Sequence, residues 1–427
     1  MIAVLACAAL TLFPHPDDTR WWLSGQVNVV AQSHPAFPAD YSGPNSLSPE
    51  AEGAVSFVAT VYLGYAVTAT TALLLDVESA GGRGVSDALG LAGFSNLDVV
   101  RNPYLGGSPY LARAEIHQIV PLSDEEVEAQ RGPLNLFRRL PARRLELRAG
   151  KLSTVDLFDV SAVGSDSHLQ FLNWTVDNNG AFDYAADTRG YSIGAVLEYH
   201  DGGFAARLGE LLMPTVANGI DYDTDVAHAR GENLELELAG RAGVLRLLGY
   251  LNHARMGSYA EAIAAFRAGT DARPDITAHR AEGRLKYGFG INVEARVAPA
   301  VRVYGRVGWN DGATESFAYT EVEDSFAAGL DWRGAAWARP DDQVGVTVVT
   351  NGLGPDHAAY LALGGAGFLL GDGALSYGRE NIVEAYYTAH LWRGIFPALD
   401  VQLIEHPGYN RARGPVVLGT LRLHIDL

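Results

Sequence analysis

Cysteine is almost missing from this chain. The only one, Cys7, lies near the first residue, which excludes a disulfide framework and any cysteine-based metal site. Long apolar runs are missing too. No segment after the first residues approaches the ~18 uninterrupted apolar residues of a membrane-crossing helix. Basic charge is in deficit: 32 Lys and Arg stand against 50 Asp and Glu, a net charge of −18 at pH 7, which argues against a nucleic-acid partner. Metalloprotease and nucleotide-binding signatures are also lacking: there is no H-E-x-x-H and no P-loop, and the 12 histidines are scattered. Neither a catalytic residue nor a cofactor is therefore expected.

What the chain has instead is alternation. Over residues 285–309, Tyr287, Phe289, Ile291, Val293, Ala295 and Val297 place an apolar group at every second position. Between them fall Lys286, Asn292, Glu294 and Arg296, with Gly288 and Gly290. After a turn at Ala298-Pro299-Ala300 the pattern resumes, with Val301, Val303, Val307 and Trp309 on one side and Arg302, Tyr304, Arg306 and Asn310 on the other. Successive side chains of a strand point to opposite faces. This hairpin therefore has an oily, aromatic-edged face and a charged face. Because the pattern recurs along most of the 427 residues, it points to an antiparallel transmembrane β-barrel with a wet, charged interior.

About sixteen segments of roughly ten residues carry this period, the length a tilted membrane strand needs. They are expected over 21–33, 55–66, 71–79, 110–120, 144–152, 191–200, 204–213, 232–239, 244–253, 285–297, 301–310, 325–332, 343–351, 382–392, 399–406 and 416–427. Short connections (67–70, 201–203, 240–242, 298–300) alternate with long ones (34–54, 80–109, 153–190, 254–284), as in barrels with short periplasmic turns and long extracellular loops. Residues 121–143 break the rule with a long, Arg-rich connection on the short side, expected as a small periplasmic feature. Short helices are expected in the loops at 259–267 and 355–363. Residues 2–13 resemble the apolar core of a secretory signal without a basic leading segment or a clean A-x-A site. Residues 1–18 are therefore read as a signal peptide with a shortened start, against the alternative of an apolar first strand, and 19–427 as one barrel domain.

Several strings resemble the carbohydrate-selective porins of the OprB type. They include Tyr41-Ser42-Gly43-Pro44-Asn45-Ser46-Leu47, Leu89-Gly90-Leu91-Ala92-Gly93-Phe94, and Gly150-Lys151-Leu152 followed by Asp156-Leu157-Phe158-Asp159. The most distinctive begins Gln170-Phe171-Leu172-Asn173-Trp174 and continues through Asp177-Asn178-Asn179-Gly180-Ala181-Phe182-Asp183 to Arg189-Gly190-Tyr191. Val307-Gly308-Trp309-Asn310-Asp311-Gly312 and His406-Pro407-Gly408-Tyr409-Asn410 fit as well. The resemblance implies a sixteen-stranded outer-membrane barrel through which small sugars diffuse.

A sugar pore needs a narrow waist with groups that exchange hydrogen bonds with water and hydroxyls, held weakly enough for flux. Arg113, Glu115 and His117 share one face of their strand; Asp76 and Glu78 share another, as do Glu146 and Arg148. A lipid-facing Arg or Lys at mid-membrane costs roughly 2–4 kcal/mol, so these faces are expected to look inward. Residues 153–190, holding Asn173, Trp174 and Asp183, are the expected constriction loop, with Trp174 as a sugar-stacking ring or an anchor that pins the loop to the wall, and Arg189 paired to a loop carboxylate. Arg246, Tyr250, Lys286, Glu294 and Arg306 are the expected opposite wall. Asp221, Asp223, Asp225 and Glu232 follow a calcium-loop spacing, but Val226 stands where a turn-forming Gly belongs, so a solvated acidic loop is favoured. The expected partners are small sugars and outer-membrane lipid, with self-association left open. Rival readings are a general or ion-selective porin, a structural or enzymatic barrel, and a soluble all-β binding protein.

Overall fold

The computed structural model describes residues 11–13, 15, 19–99 and 105–427. Most of the expected leader, including Cys7, lies outside the described residues. Eighteen strands follow in order: β1 (Trp21–His34), β2 (Glu52–Ala66), β3 (Thr71–Gly82), β4 (Tyr110–Pro121), β5 (Glu126–Glu128), β6 (Arg139–Pro141), β7 (Arg143–Leu152), β8 (Ser192–Asp201), β9 (Phe204–Leu212), β10 (Arg230–Ala239), β11 (Val244–Gly257), β12 (Arg280–Ala298), β13 (Val301–Asn310), β14 (Asp324–Arg333), β15 (Gln343–Gly352), β16 (Glu380–Thr388), β17 (Ile395–Glu405) and β18 (Val416–Asp426). Sixteen of them, all but β5 and β6, form one closed antiparallel barrel, which β1 and β18 seal with Gln26 opposite Asp426 and Ser33 opposite Gly419. All sixteen expected strands are present. Closure leaves no edge with unpaired backbone groups, the condition for crossing lipid with strands.

The alternation decides which face points in. On β10, Leu234, Leu236 and Leu238 are exposed on the outer surface while Glu235 between them is fully buried inside. A one-residue slip would turn every carboxylate toward lipid, so register is strongly specified. Trp21, which pairs with Tyr65, and Trp332 and Trp392 lie outward at the turn end. Phe289 and Trp309 pair nearer the long-loop end. These are the two aromatic girdles of a membrane barrel.

The largest apolar cluster sits inside the barrel. Leu91, Phe94, Phe158, Phe171, Trp174 and Phe182, all from loops, pack on the inward Tyr250, Tyr304 and Tyr386. Two short helices, α2 (Tyr259–Arg267) and α3 (Pro355–Ala362), pack on each other among the extracellular loops, with Tyr259 stacked on His357 at 4.2 Å. The side-chain hydroxyl of Ser258 caps α2 by accepting from the Glu261 N–H at 3.4 Å. On the opposite side, β5 and β6 pair as a ribbon within the connection 122–142, the expected periplasmic feature.

Candidate functional site

Half of the sixteen barrel strands, β3 to β12, carry one continuous run of ion pairs on their inner face. Asp76 on β3 meets Arg113 on β4 at 2.7 Å, directly opposite in register. Arg113 also contacts Glu115 at 3.1 Å and Asp156 at 2.5 Å. Arg148 on β7 bridges Glu115 (2.6 Å) and Glu198 of β8 (3.7 Å). Arg207 on β9 holds Glu198 (2.9 Å), Glu235 (2.8 Å) and Glu237 (3.1 Å). Arg246 on β11 holds Glu237 (2.9 Å) and Glu294 of β12 (3.4 Å). Opposite charges on facing strands attract, and each charge-assisted bond also fixes a side chain that would otherwise wander across the lumen. Below this run, Glu146 accepts from Arg144 (2.5 Å) and lies 2.6 Å from His117.

The loop 153–191 leaves β7, enters the barrel and crosses to the other wall. Asp159 turns with φ 57° and meets Arg306 of β13 at 2.8 Å. Arg306 also donates to the Val176 and Asp159 carbonyls at 2.6 and 2.9 Å. The Ser161 hydroxyl and the Ala162 N–H donate to Glu294 at 3.0 and 2.6 Å. Farther on, the Leu172 and Asn173 N–H groups donate to Glu384 of β16 at 2.5 and 3.3 Å. Asn173 then caps the one-turn helix α1 (Trp174–Asp177) by accepting from the Thr175 N–H at 3.0 Å. Asn179 donates to the Val307 carbonyl at 3.0 Å, passing close over Gly308, where a Cβ would lie 1.9 Å from the Asn179 Oδ1. Gly308 is thus required by the approach of the loop. Asp183 accepts from Lys286 (3.0 Å) and from the Phe317 and Ala318 N–H groups (2.8 Å each).

Residues 83–99 enter beside it. Asn28 of β1 donates to Asp98, and Gln32 donates to the Ser95 carbonyl at 3.0 Å. His168 joins the two loops, 3.4 Å from Asp98. Burial alone would lower the His168 pKa, but the facing Asp98 carboxylate outweighs it and pushes it up to about 9. Burial pushes Asp177 up to about 8, against the lowering pull of Arg306.

The expected site residues divide in two. Asp76, Arg113, Glu115, Arg148, Arg246 and Glu294 belong to the ion-pair run, with Glu146 and His117 beneath it. Glu78 instead accepts from the Thr60 and Tyr191 hydroxyls, each at 3.1 Å. Asn173, Asp183, Lys286, Arg306 and Tyr250 hold the inward loop; the Tyr250 hydroxyl donates to the Ala181 carbonyl at 2.7 Å. Trp174 is buried. It is 7% exposed, its ring is stacked on Tyr319 at 5.5 Å, and its indole N–H donates to the Asn96 carbonyl at 2.8 Å. That is an anchor's geometry, with no open face for a sugar. The Arg189 guanidinium lies 3.6 Å over the Tyr110 ring, where a carboxylate was expected.

Carboxylates of the calcium spacing pair locally. Asp225 lies 2.8 Å from His228 and Glu232 2.7 Å from Arg230, so local pairs replace a common centre. Among the described residues, the ligand-like group that does converge is Glu146, Glu198 and His200, within 4.8 Å of one another. Arg144, Arg207 and His117 already contact its carboxylates at 2.5, 2.9 and 2.6 Å, which makes it an ion-pair node. Sequence reasoning missed Glu198, Arg207, Glu235 and Glu237. The signal was present, since Leu234, Leu236 and Leu238 alternate with the two β10 carboxylates. It also missed Glu384, Gln402 and Arg422, whose partners are loop groups far away in the chain.

A family model described as the carbohydrate-selective porin, OprB family, matches residues 130–427. The chain is similar to a high-pH structure of Pseudomonas putida OprB, with TM-score 0.72 and 14% identity over 95% of this chain and 94% of that one. It is similar to a low-pH structure of the same protein with TM-score 0.50 and 10% identity over 95% and 92%. At such identities the likeness concerns the fold. No curated protein sequence matches. With the family model accounting for well over half of its length, this chain belongs to the OprB family of carbohydrate-selective porins, barrels of the bacterial outer membrane.

Proposed function

We propose that small neutral carbohydrates diffuse passively along the inner face of β3–β12, past the ion-pair run, with the inward loops narrowing the lumen from the other side. The carrying observation is that run itself, from Asp76 to Glu294. Charges paired in this way order water along the wall. A sugar hydroxyl can therefore exchange a water bond for one to a carboxylate or guanidinium and move on, because binding stays weak enough to leave. The inward loop supplies the constriction, positioned by Arg306, Glu384 and Asp183. The outward apolar belt meets lipid. No chemical step on the sugar and no energy source are part of this reading.

Liposome swelling tests it, with glucose, a disaccharide and a neutral amino acid of similar size. Faster swelling with glucose than with the amino acid supports the reading. Equal rates remove the carbohydrate preference, and no swelling by folded protein removes the pore. One observation favours a second reading, a cation-preferring pore on the same scaffold. Along the run, Asp76, Glu115, Asp156, Glu198, Glu235, Glu237 and Glu294 outnumber Arg113, Arg148, Arg207 and Arg246. A reversal potential in asymmetric salt separates the two readings.

A further inference from the structure

At the turn end, most strand connections are as short as 67–70, 202–203, 240–243 and 299–300, but β4 and β7 are joined by 122–142. The tip of this insert does not project away. Leu136, Phe137 and Leu140 are buried against Ala72 and Leu74 of β3 and Ile119 of β4. These are inward-facing positions, on the same faces that carry Asp76 and Glu115 higher up. A water-filled lumen gives no reason for the inner wall to turn apolar at one end. An apolar tip seated there does, because it removes both surfaces from water.

The seat is shaped for the tip. A Cβ on Gly64 would lie 2.9 Å from a Leu136 methyl, so a side chain on β2 there would push Leu136 out of its present place. The tip is closed by reciprocal Gly132 and Asn135 backbone bonds at 2.7 and 3.1 Å. It is tied to the wall by Arg148, which donates to the Leu134 carbonyl at 3.0 Å while holding Glu115 at 2.6 Å. Phe137 meets the ring of His117 edge-on at 5.6 Å. The ion-pair run and the insert therefore share one arginine.

We propose that residues 122–142 are a second size filter, a resident insert that narrows the periplasmic exit and sets the largest carbohydrate that passes. This rests on the diffusion path along β3–β12, because a solute on that path leaves beside Phe137.

Two variants test it. In one, residues 122–142 are replaced by an Asn-Gly turn; in the other, Gly64→Leu fills the seat and displaces Leu136 without shortening the chain. Folding of each is checked by heat-modifiable migration. Swelling is then measured with glucose, a disaccharide and a trisaccharide, and single-channel conductance in planar bilayers. Both folded variants are expected to admit the trisaccharide faster relative to glucose than wild type, with conductance raised by about twofold because the exit widens. An unchanged size limit and conductance in both would overturn the proposal. A gain in the shortened chain alone also overturns it, since the lost tie and not the filled space would then matter. Failure of wild type to swell with glucose would instead count against the diffusion path.

Discussion

The two halves of the barrel wall use the same residue types for opposite purposes. From β3 to β12, inward Arg and Glu are satisfied mainly by each other across neighbouring strands. From β16 through β18 to β1, they are satisfied by loop backbone. Glu384 takes the Leu172 and Asn173 N–H groups, Gln402 and Gln32 donate to the Ser95 carbonyl at 2.8 and 3.0 Å, and Arg422 donates to the Ser167 and Gln170 carbonyls at 2.6 and 2.7 Å. A side chain paired within the wall can stay beside an open lumen. One that accepts or donates to a loop is covered by that loop. On the proposed path, the first is the surface a solute meets and the second holds the inward loops.

Removing an anchor should break this contrast most visibly. Arg306→Met leaves Asp159 buried without its cation, and a broken buried pair costs about 3–5 kcal/mol. Urea unfolding in detergent micelles is expected to show a loss of that order; a loss below ~1 kcal/mol would remove Arg306 from the anchors. Glu384→Ala comes next. It strips two buried N–H groups of their acceptor, at about 1–3 kcal/mol each. It should also loosen the inward loop, read as noisier single-channel current with unchanged ion preference.

On the other half, Arg207→Gln takes the cation from Glu235, while Glu198 keeps Arg148 and Glu237 keeps Arg246. Stability should fall by only about 1 kcal/mol. The reversal potential should move toward cations. A stability loss matching that of Arg306→Met would erase the distinction between the halves. The smallest effect concerns His168. Its folded pKa of about 9 lies above the ordinary value of 6.5, so the charged contact with Asp98 contributes fully below 6.5 and is lost as pH rises through about 9. Current noise should therefore increase between those values in wild type and lose that pH step in His168→Asn.

Strand positions were legible because period-two alternation is local. One misplacement shows the limit: strands expected at 382–392 and 399–406 are Glu380–Thr388 and Ile395–Glu405. Leu391 and Trp392 continue the apolar pattern through the turn, since they belong to the girdle and are 64% and 56% exposed on the outer surface. Trp174 shows another limit. A ring in an inward loop can face a sugar or a neighbouring ring, and only Tyr319, far along the chain, decides between them.

The sequence by itself determined the barrel, its strand number and which side chains face inward, because a charge turned toward lipid is costly and each strand answers that constraint alone. Tertiary structure alone decided what each inward charge does. Glu235 meets Arg207 on the next strand, while Glu384 meets Leu172 across the lumen. Closure of the barrel and the path of the loops bring such partners together from distant parts of the chain, and no local pattern records that meeting.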